Sequence, residues 1–521
     1  MKVIFRDPET GKEIEKVLVY EIDDEGENLV EELTARAAFE RLKELNCTLD
    51  TDLYELRMTA GYAAIGKSEQ GANFQLFFRK IPDNGGFVVA AGLEQAIDYL
   101  QNLRFFGDDI DFLREKVGGF SEEMLRYLRR GFRFDCDIYA VPEGTLVFPN
   151  EPLIKVVGPI PASQYIESAL LAILNHQSLI ATKAARICLA AEGDPVVDFG
   201  LRRAHGLNAA LWGARSCFIG GCVGTSNVKA AKKFGIPAVG THAHSWVESC
   251  EDEEEAFENF ARLFPQNCIL LVDTYNTIEG VKKAVKVAKE YILPSGHKLL
   301  GIRLDSGDLA YLSKEARKIL DEAGLREAKI VASNEIDEWI IADLKKQGAK
   351  IDLWGVGTRM ITSYSTPALG GVYKLTAVDI GEEKMAPRIK ISSNYEKITN
   401  PGLQRIVRFF GAEGKMLGDL LICEDEEIPR DKTVKAHHPL FPHIFKTYQP
   451  PYETRELLTP IFKKGKLVYQ PPSLKEIQER TLESLDSLDE SCKRFVNPHE
   501  YKVSLSEKLF ALKLNLLLKH Q

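Results

Sequence analysis

Between residues 196 and 376 one arrangement recurs at least seven times: a short β-branched run, a tight cluster drawn from Gly, Asp, Asn, Thr, Ser, Arg and His, then a helical pattern. An α/β barrel builds its active site this way, because the loops after parallel strands open onto one rim and gather polar groups from distant positions. In order the clusters are Phe199-Gly200-Leu201-Arg202-Arg203, Gly224-Thr225-Ser226-Asn227, Gly240-Thr241-His242-Ala243-His244-Ser245, Asp273-Thr274-Tyr275-Asn276, Arg303-Leu304-Asp305-Ser306-Gly307-Asp308, Ser333-Asn334-Glu335 and Gly355-Val356-Gly357-Thr358-Arg359. The runs that feed them include Pro195-Val196-Val197-Asp198, Ile236-Pro237-Ala238-Val239, Ile269-Leu270-Leu271-Val272, Leu299-Leu300-Gly301-Ile302, Lys329-Ile330-Val331-Ala332 and Ile351-Asp352-Leu353-Trp354, with Gly371-Val372-Tyr373-Lys374-Leu375 beyond the last rim. Near-continuous apolar runs of this length suit strands covered on both faces. The run before Gly224, Cys217-Phe218-Ile219-Gly220-Gly221-Cys222, is the least strand-like. Segments such as 277–291 and 309–323 carry apolar residues at helical spacing. A doubly wound open sheet would also place functional loops at strand ends.

At 521 residues the chain exceeds one core, so flanking domains are expected. Antiparallel strands in residues 70–160, Asn73-Phe74-Gln75-Leu76-Phe77-Phe78-Arg79-Lys80 and Gly144-Thr145-Leu146-Val147-Phe148-Pro149, stand beside helical patterns at 92–103 and 121–130. A second mixed region follows residue 385 and ends in amphipathic helices over 473–493 and 505–518. The expected organisation is an extension over 1–47, an α+β domain over 48–165, the barrel over 166–385, and a segment over 386–521 that packs with the N-terminal domain.

A formal charge of −9 argues against a nucleic-acid footprint but leaves room for a local basic pocket. The apolar stretch 164–191 contains Glu167, Asn175, His176, Lys183 and Arg186 and cannot span a membrane. Met1-Lys2-Val3-Ile4-Phe5 runs into Arg6-Asp7-Pro8, unlike a secretory leader. Nine cysteines without a CxxC pair fit reduced thiols in a cytoplasm. Cys217 and Cys222 read as small buried residues, His437-His438-Pro439-Leu440-Phe441-Pro442-His443 as a surface loop without metal partners, and the acidic run at 251–255 as the first turn of a helix.

The rims carry the chemistry. Gly355-Val356-Gly357-Thr358 ends a strand in small residues with exposed N–H groups, a nest for phosphate. Asp273, Asp305 and Asp308 are oxygen ligands suited to Mg²⁺, which binds through few carboxylates plus substrate phosphates. Arg202, Arg203, Arg303 and Arg359 add fixed positive charge, so an anionic, phosphorylated substrate is expected.

Asp50-Thr51-Asp52-Leu53-Tyr54 with Met58, Asp198-Phe199-Gly200-Leu201-Arg202-Arg203-Ala204, Thr225-Ser226-Asn227-Val228, the Gly240 to Ser245 cluster, Arg303-Leu304-Asp305-Ser306-Gly307-Asp308-Leu309 and Gly355-Val356-Gly357-Thr358-Arg359 together resemble nicotinate phosphoribosyltransferase, a type II phosphoribosyltransferase. The resemblance runs from about residue 48 to the end, where Asn497-Pro498-His499-Glu500-Tyr501 also fits. It implies an irregular TIM-like α/β barrel with a flanking α+β domain. The implied reaction is ATP-dependent condensation of nicotinate with phosphoribosyl pyrophosphate to nicotinate mononucleotide, in NAD salvage, with Mg²⁺, in a homodimer with shared sites.

By the same resemblance Tyr54, Phe199, Thr241 and Arg303 would hold nicotinate, with Tyr54 reaching the site from a second subunit. Arg202, Asp273, Ser306, Gly307, Gly355, Gly357 and Thr358 would hold phosphoribosyl pyrophosphate, and Asp305 would be catalytic. His242 beside His244 leaves two candidates for phosphorylation; the family's phosphorylated histidine aligns with His244, which should lie at the start of the next helix. Two departures stand out: the extension, acidic over 21–27, and Arg57, where the family commonly has a small polar residue. The competing readings are a nicotinamide phosphoribosyltransferase, whose family carries an acidic residue where this chain has Thr225-Ser226-Asn227, and a catalytically inactive regulatory homologue. A Schiff-base lyase is disfavoured because no lysine sits in any rim.

Overall fold

The computed structural model describes the backbone of residues 2–6 and 13–17, and residues 46–381, 384–441 and 443–520 with their side chains. Lys2–Arg6 and Glu13–Val17 pair as an antiparallel hairpin; the acidic stretch 21–27 lies outside the described residues.

Six parallel strands form the barrel sheet, in the order Ile269–Leu271, Gly301–Leu304, Lys329–Ala332, Leu353–Val356, Val196–Asp198 and Gly224–Thr225. Leu270, Val272, Ile302, Leu304, Ile330, Ala332, Trp354 and Val356 share one core with the surrounding helices. Strand alternation therefore turns Leu271, Arg303, Val331 and Gly355 to the opposite, inner face. The helices Thr277–Val287, Leu309–Glu322 and Glu338–Lys346 follow their strands as the helical spacing predicts. Asn276, Asp308 and Asp337 cap them by accepting backbone N–H bonds. Asp252 caps Glu253–Leu263, which accounts for the acidic run.

The ring is irregular at one place. Residues 237–239 run beside Gly224–Thr225, with the Thr225 N–H donating to Pro237 O and the Val239 N–H to Thr225 O, both at 3.0 Å. Among the described residues no ladder joins that segment to Ile269–Leu271. The Leu271 N–H donates instead to the ring nitrogen Nε2 of His242, at 3.1 Å.

Two sequence expectations are corrected here. Cys217-Phe218-Ile219 ends the helix Leu207–Ile219, and Gly220-Gly221 turns the chain toward the short strand Gly224–Thr225. The glycines serve packing, since a Cβ on Gly220 would lie 2.4 Å from Ala181 O, and Gly221 has φ +114°. The run from Gly371 forms Gly371–Asp379, which leaves the barrel and pairs antiparallel with Gly71–Phe78.

That pairing belongs to a seven-stranded antiparallel sheet drawing strands from both sides of the barrel: Gly71–Phe78, Asp137–Ala140 and Ile154–Pro159 before it, Thr459–Lys463 after it. A mixed six-stranded sheet is built from residues beyond 400. His437 lies on a strand of it, buried against Phe510 at a ring separation of 4.7 Å, and so is not on a surface loop. The helix Glu167–Ala191 joins the layers: Lys183 donates to Asp83 and Glu338, each at 2.9 Å, and Arg186 to Glu338 at 3.0 Å. Removing one partner would leave a buried charge uncompensated. No helix among the described residues is long and apolar enough to cross a membrane.

Candidate active site

At the C-terminal ends of the parallel strands lies a cavity of about 310 Å³. Its lining draws on Phe199, Arg202, Thr241, Arg303, Asp305, Gly355, Gly357 and Thr358, all expected from the sequence. Arg303 is its centre. The side chain is 13% exposed, so most of its N–H groups depend on partners inside the protein. Nε donates to Ser333 Oγ at 2.8 Å, one terminal nitrogen to Thr241 Oγ1 at 3.1 Å, and the other to Asp305 Oδ1 at 2.6 Å. The Ser333 hydroxyl donates to Asp305 Oδ1, so one hydroxyl holds both charged groups. A guanidinium carries five N–H donors. With three in use, one N–H remains on each terminal nitrogen for a bound anion.

The guanidinium carbon lies 5.4 Å from the centroid of the Phe199 ring. Gly355 lets that ring approach the strand closely, because a Cβ there would meet Phe199 Cε2 at 2.5 Å. Beneath the ring, Asp198 accepts from the Gly200 N–H at 2.8 Å and the Thr225 hydroxyl at 2.7 Å, tying two rims together. Burial pushes the Asp198 carboxyl above its ordinary range.

Asp273 sits under the neighbouring rim. Its Oδ2 accepts from the Asp305 N–H at 2.8 Å and Ser306 Oγ at 2.7 Å, while Oδ1 is buried with no hydrogen-bond partner among the described residues. Gly307 takes φ +78° in the turn that follows. Asp308 is engaged elsewhere, since its carboxylate accepts from the Tyr311 N–H at 3.0 Å as the cap of the next helix. Asp273, Asp305 and Asp308 thus each have one carboxylate oxygen engaged by hydrogen bonds, and no cluster of three metal-ligating side chains exists among the described residues.

The four arginines divide. Arg202 and Arg203 lie exposed on the turn Leu201–Arg203, without an ion pair among the described residues. Arg359 is held by Asp337 at 3.1 Å and Glu335 at 3.6 Å, and Thr358 donates to Glu335 at 3.0 Å.

The two histidines differ in kind. His244 begins the helix His244–Glu248; its Nδ1 lies 3.1 Å from Thr274 Oγ1, its Nε2 lies 4.0 Å from Asp305 Oδ2, and 41% of the side chain is exposed. His242 is 7% exposed, packs edge-on against Phe260 at 4.8 Å, and spends Nε2 on Leu271. Burial first, then the charges of Arg303 and His244, push it down to about 4.

Tyr54 is not among the residues lining this cavity. It stands 46% exposed on the helix Leu53–Ala64, which Ser168 anchors through Asp52 and Glu55. Sequence reasoning assigned no role to Ser333, Thr274 or the Asp198–Thr225 pair. Serine and threonine in a polar loop carry no signal of their own, and only their partners reveal them.

Comparison with known proteins agrees with this geometry. Residues 195–410 match the nicotinate phosphoribosyltransferase (NAPRTase) family, 49–175 its N-terminal domain and 403–513 its C-terminal domain. The nicotinate phosphoribosyltransferase of Bacillus subtilis is 45% identical over 476 residues, covering 91% of this chain and 95% of that protein. The chain belongs to the nicotinate phosphoribosyltransferase family. Among solved structures, human nicotinic acid phosphoribosyltransferase superposes with a TM-score of 0.77 at 30% identity, covering 90% of this chain and 99% of that one. A nicotinate-nucleotide pyrophosphorylase from Pyrococcus furiosus follows at 0.65 and 25% identity, covering 85% and 96%. The family assignment makes the chain an enzyme of this kind and confirms the α/β fold with a flanking domain.

The neutral state of His242 has a measurable consequence. Its protonation equilibrium lies lower in the folded protein than in the unfolded chain, so the unfolded state takes up the proton first on acidification. Stability from this residue is complete above pH ~6.5 and falls by about 3 kcal/mol toward pH ~4. Urea midpoints measured across that window should show the slope, and His242→Gln should flatten it.

Proposed function

We propose that this enzyme condenses nicotinate with phosphoribosyl pyrophosphate, releasing pyrophosphate and forming nicotinate mononucleotide for NAD salvage, with ATP hydrolysis coupled through His244. The observation that carries the reading is Arg303: a guanidinium over an aromatic face, locked by three loops, with one N–H left on each terminal nitrogen. Nicotinate is a flat ring bearing one carboxylate, and such a fork is suited to hold it where a neutral amide would leave the charge unanswered. Phe199 and, from the neighbouring subunit of a homodimer, Tyr54 would cover the two ring faces. Exposure of Tyr54 away from its own chain's cavity supports that arrangement.

In the reaction the ring nitrogen attacks the anomeric carbon as the bond to pyrophosphate breaks, and pyrophosphate departs with the bonding pair. The protein contributes position and charge stabilisation. Arg202 and the Gly355, Gly357 and Thr358 backbone, which line the cavity, would take the phosphates, with Ser306 and Gly307 on the adjoining turn. The unpartnered Asp273 Oδ1 and the Asp305 carboxylate fit Mg²⁺, which would supply positive charge to the departing pyrophosphate. His244 would accept the γ-phosphoryl group on an imidazole nitrogen and lose it to water, so ATP is consumed without entering the product. Nine free thiols support a reducing, cytoplasmic setting.

Steady-state kinetics of Arg303→Lys should show a rise in KM for nicotinate of roughly thirtyfold, about 2 kcal/mol, with little change for the phosphoribosyl substrate. An equal rise for both would move Arg303 to the phosphate side. His244→Ala should abolish ATP hydrolysis and ATP stimulation while leaving slow ATP-independent condensation; acid-labile label from γ-labelled ATP should vanish there and persist in His242→Gln. Label surviving the loss of His244 sinks that assignment. Mixing inactive Tyr54→Ala with inactive Arg303→Ala protein should restore activity, because mixed dimers hold one intact site. No recovery after demonstrated subunit exchange would place Tyr54 in its own chain's site or outside any site.

A further inference from the structure

Where the barrel ring fails to close, one side chain substitutes for a strand. The inner residue Leu271 lies on the edge strand Ile269–Leu271, and its N–H would be a buried donor without a partner if residues 237–239 offered nothing across the gap. His242 Nε2 accepts it at 3.1 Å. The ring proton then sits on Nδ1, facing Ala243 O at 3.4 Å, and the imidazole is clamped edge-on by Phe260.

The same residue sets the rim beside it. The Thr241 hydroxyl donates to the backbone oxygen of His242 at 3.0 Å, which turns the Thr241 oxygen toward the terminal nitrogen of Arg303, 3.1 Å away. A connected path runs from the Leu271 N–H through the His242 ring and its backbone to Thr241 and Arg303. His244 follows two residues later on the same loop.

We propose that His242 is a positioning residue for nicotinate recognition: as a seam-bridging acceptor it fixes the Gly240 to His244 loop and thereby aims the Arg303 fork. The inference rests on the reading that Arg303 holds nicotinate. It requires an acceptor at the Nε2 position and nothing else of the ring, so His242→Gln, whose amide oxygen reaches about as far, retains the function. His242→Phe keeps the packing on Phe260 and loses the acceptor.

The test uses the full chain with nicotinate, phosphoribosyl pyrophosphate and ATP. His242→Phe should raise KM for nicotinate about tenfold, the loss expected for one net hydrogen bond, and leave KM for the phosphoribosyl substrate within about twofold. His242→Gln should restore most of the nicotinate KM. Hydrogen exchange read at the Leu271 amide should be slow in the parent and in His242→Gln and fast in His242→Phe. Should His242→Phe fail to fold, His242→Leu carries the same expectations. Parent-like nicotinate KM in the acceptor-less variant, or an equally poor His242→Gln with Leu271 still protected, overturns the proposal. If the parent itself shows no nicotinate turnover, the functional reading fails, and slow Leu271 exchange in the acceptor-less variant would remove the seam contact as well.

Discussion

A guanidinium taken out of water must find acceptors, and Arg303 finds them in three different loops of the barrel rim. Thr241, Asp305 and Ser333 are separated by as many as 92 residues in the chain, yet one planar cation holds them within hydrogen-bond reach. The lock acts both ways. Arg303 cannot swing into solvent without leaving Asp305 and Ser333 unsatisfied, and the loops cannot drift without exposing a buried charge. The cavity floor is therefore preorganised, which is what electrostatic stabilisation of a developing charge requires.

The second constraint is the strand that is not there. A parallel barrel closes when each strand pairs on both sides, but among the described residues the backbone of 237–239 bonds only with Gly224–Thr225. One imidazole hydrogen bond replaces the missing ladder, and burial keeps that imidazole neutral. Two histidines two residues apart thus have opposite surroundings: His242 is sealed against Phe260, and His244 faces Thr274 and Asp305 with much of its side chain open.

Much of the fold was legible because local forces dictate it. Val196-Val197, Leu270-Leu271 and Ile330-Val331 are apolar runs too short for helices, and the segments 277–291 and 309–323 carry apolar residues at helical spacing. Asp308, read from the sequence as an oxygen ligand, also caps the next helix, because a carboxylate at a strand end suits either role. Cys217-Phe218-Ile219 misled because a few apolar residues before glycines can end a helix as well as form a strand. Gly371-Val372-Tyr373 is a strand, as expected, but nothing in its composition says which sheet it joins.

By itself the sequence determined the alternation of strand and helix, the side of the barrel on which polar residues gather, and the chemical kinds available there, because periodicity and turn chemistry act over a few residues. Tertiary structure decided how those groups pair: Ser333 with Arg303 and Asp305, Thr274 with His244, His242 with a backbone N–H, and Asp273 with one oxygen satisfied and one left bare. It also set Tyr54 apart from the cavity its own chain forms. These outcomes depend on the angles at which distant loops meet around an incompletely closed ring, a geometry fixed by packing of the whole sheet and encoded in no single segment.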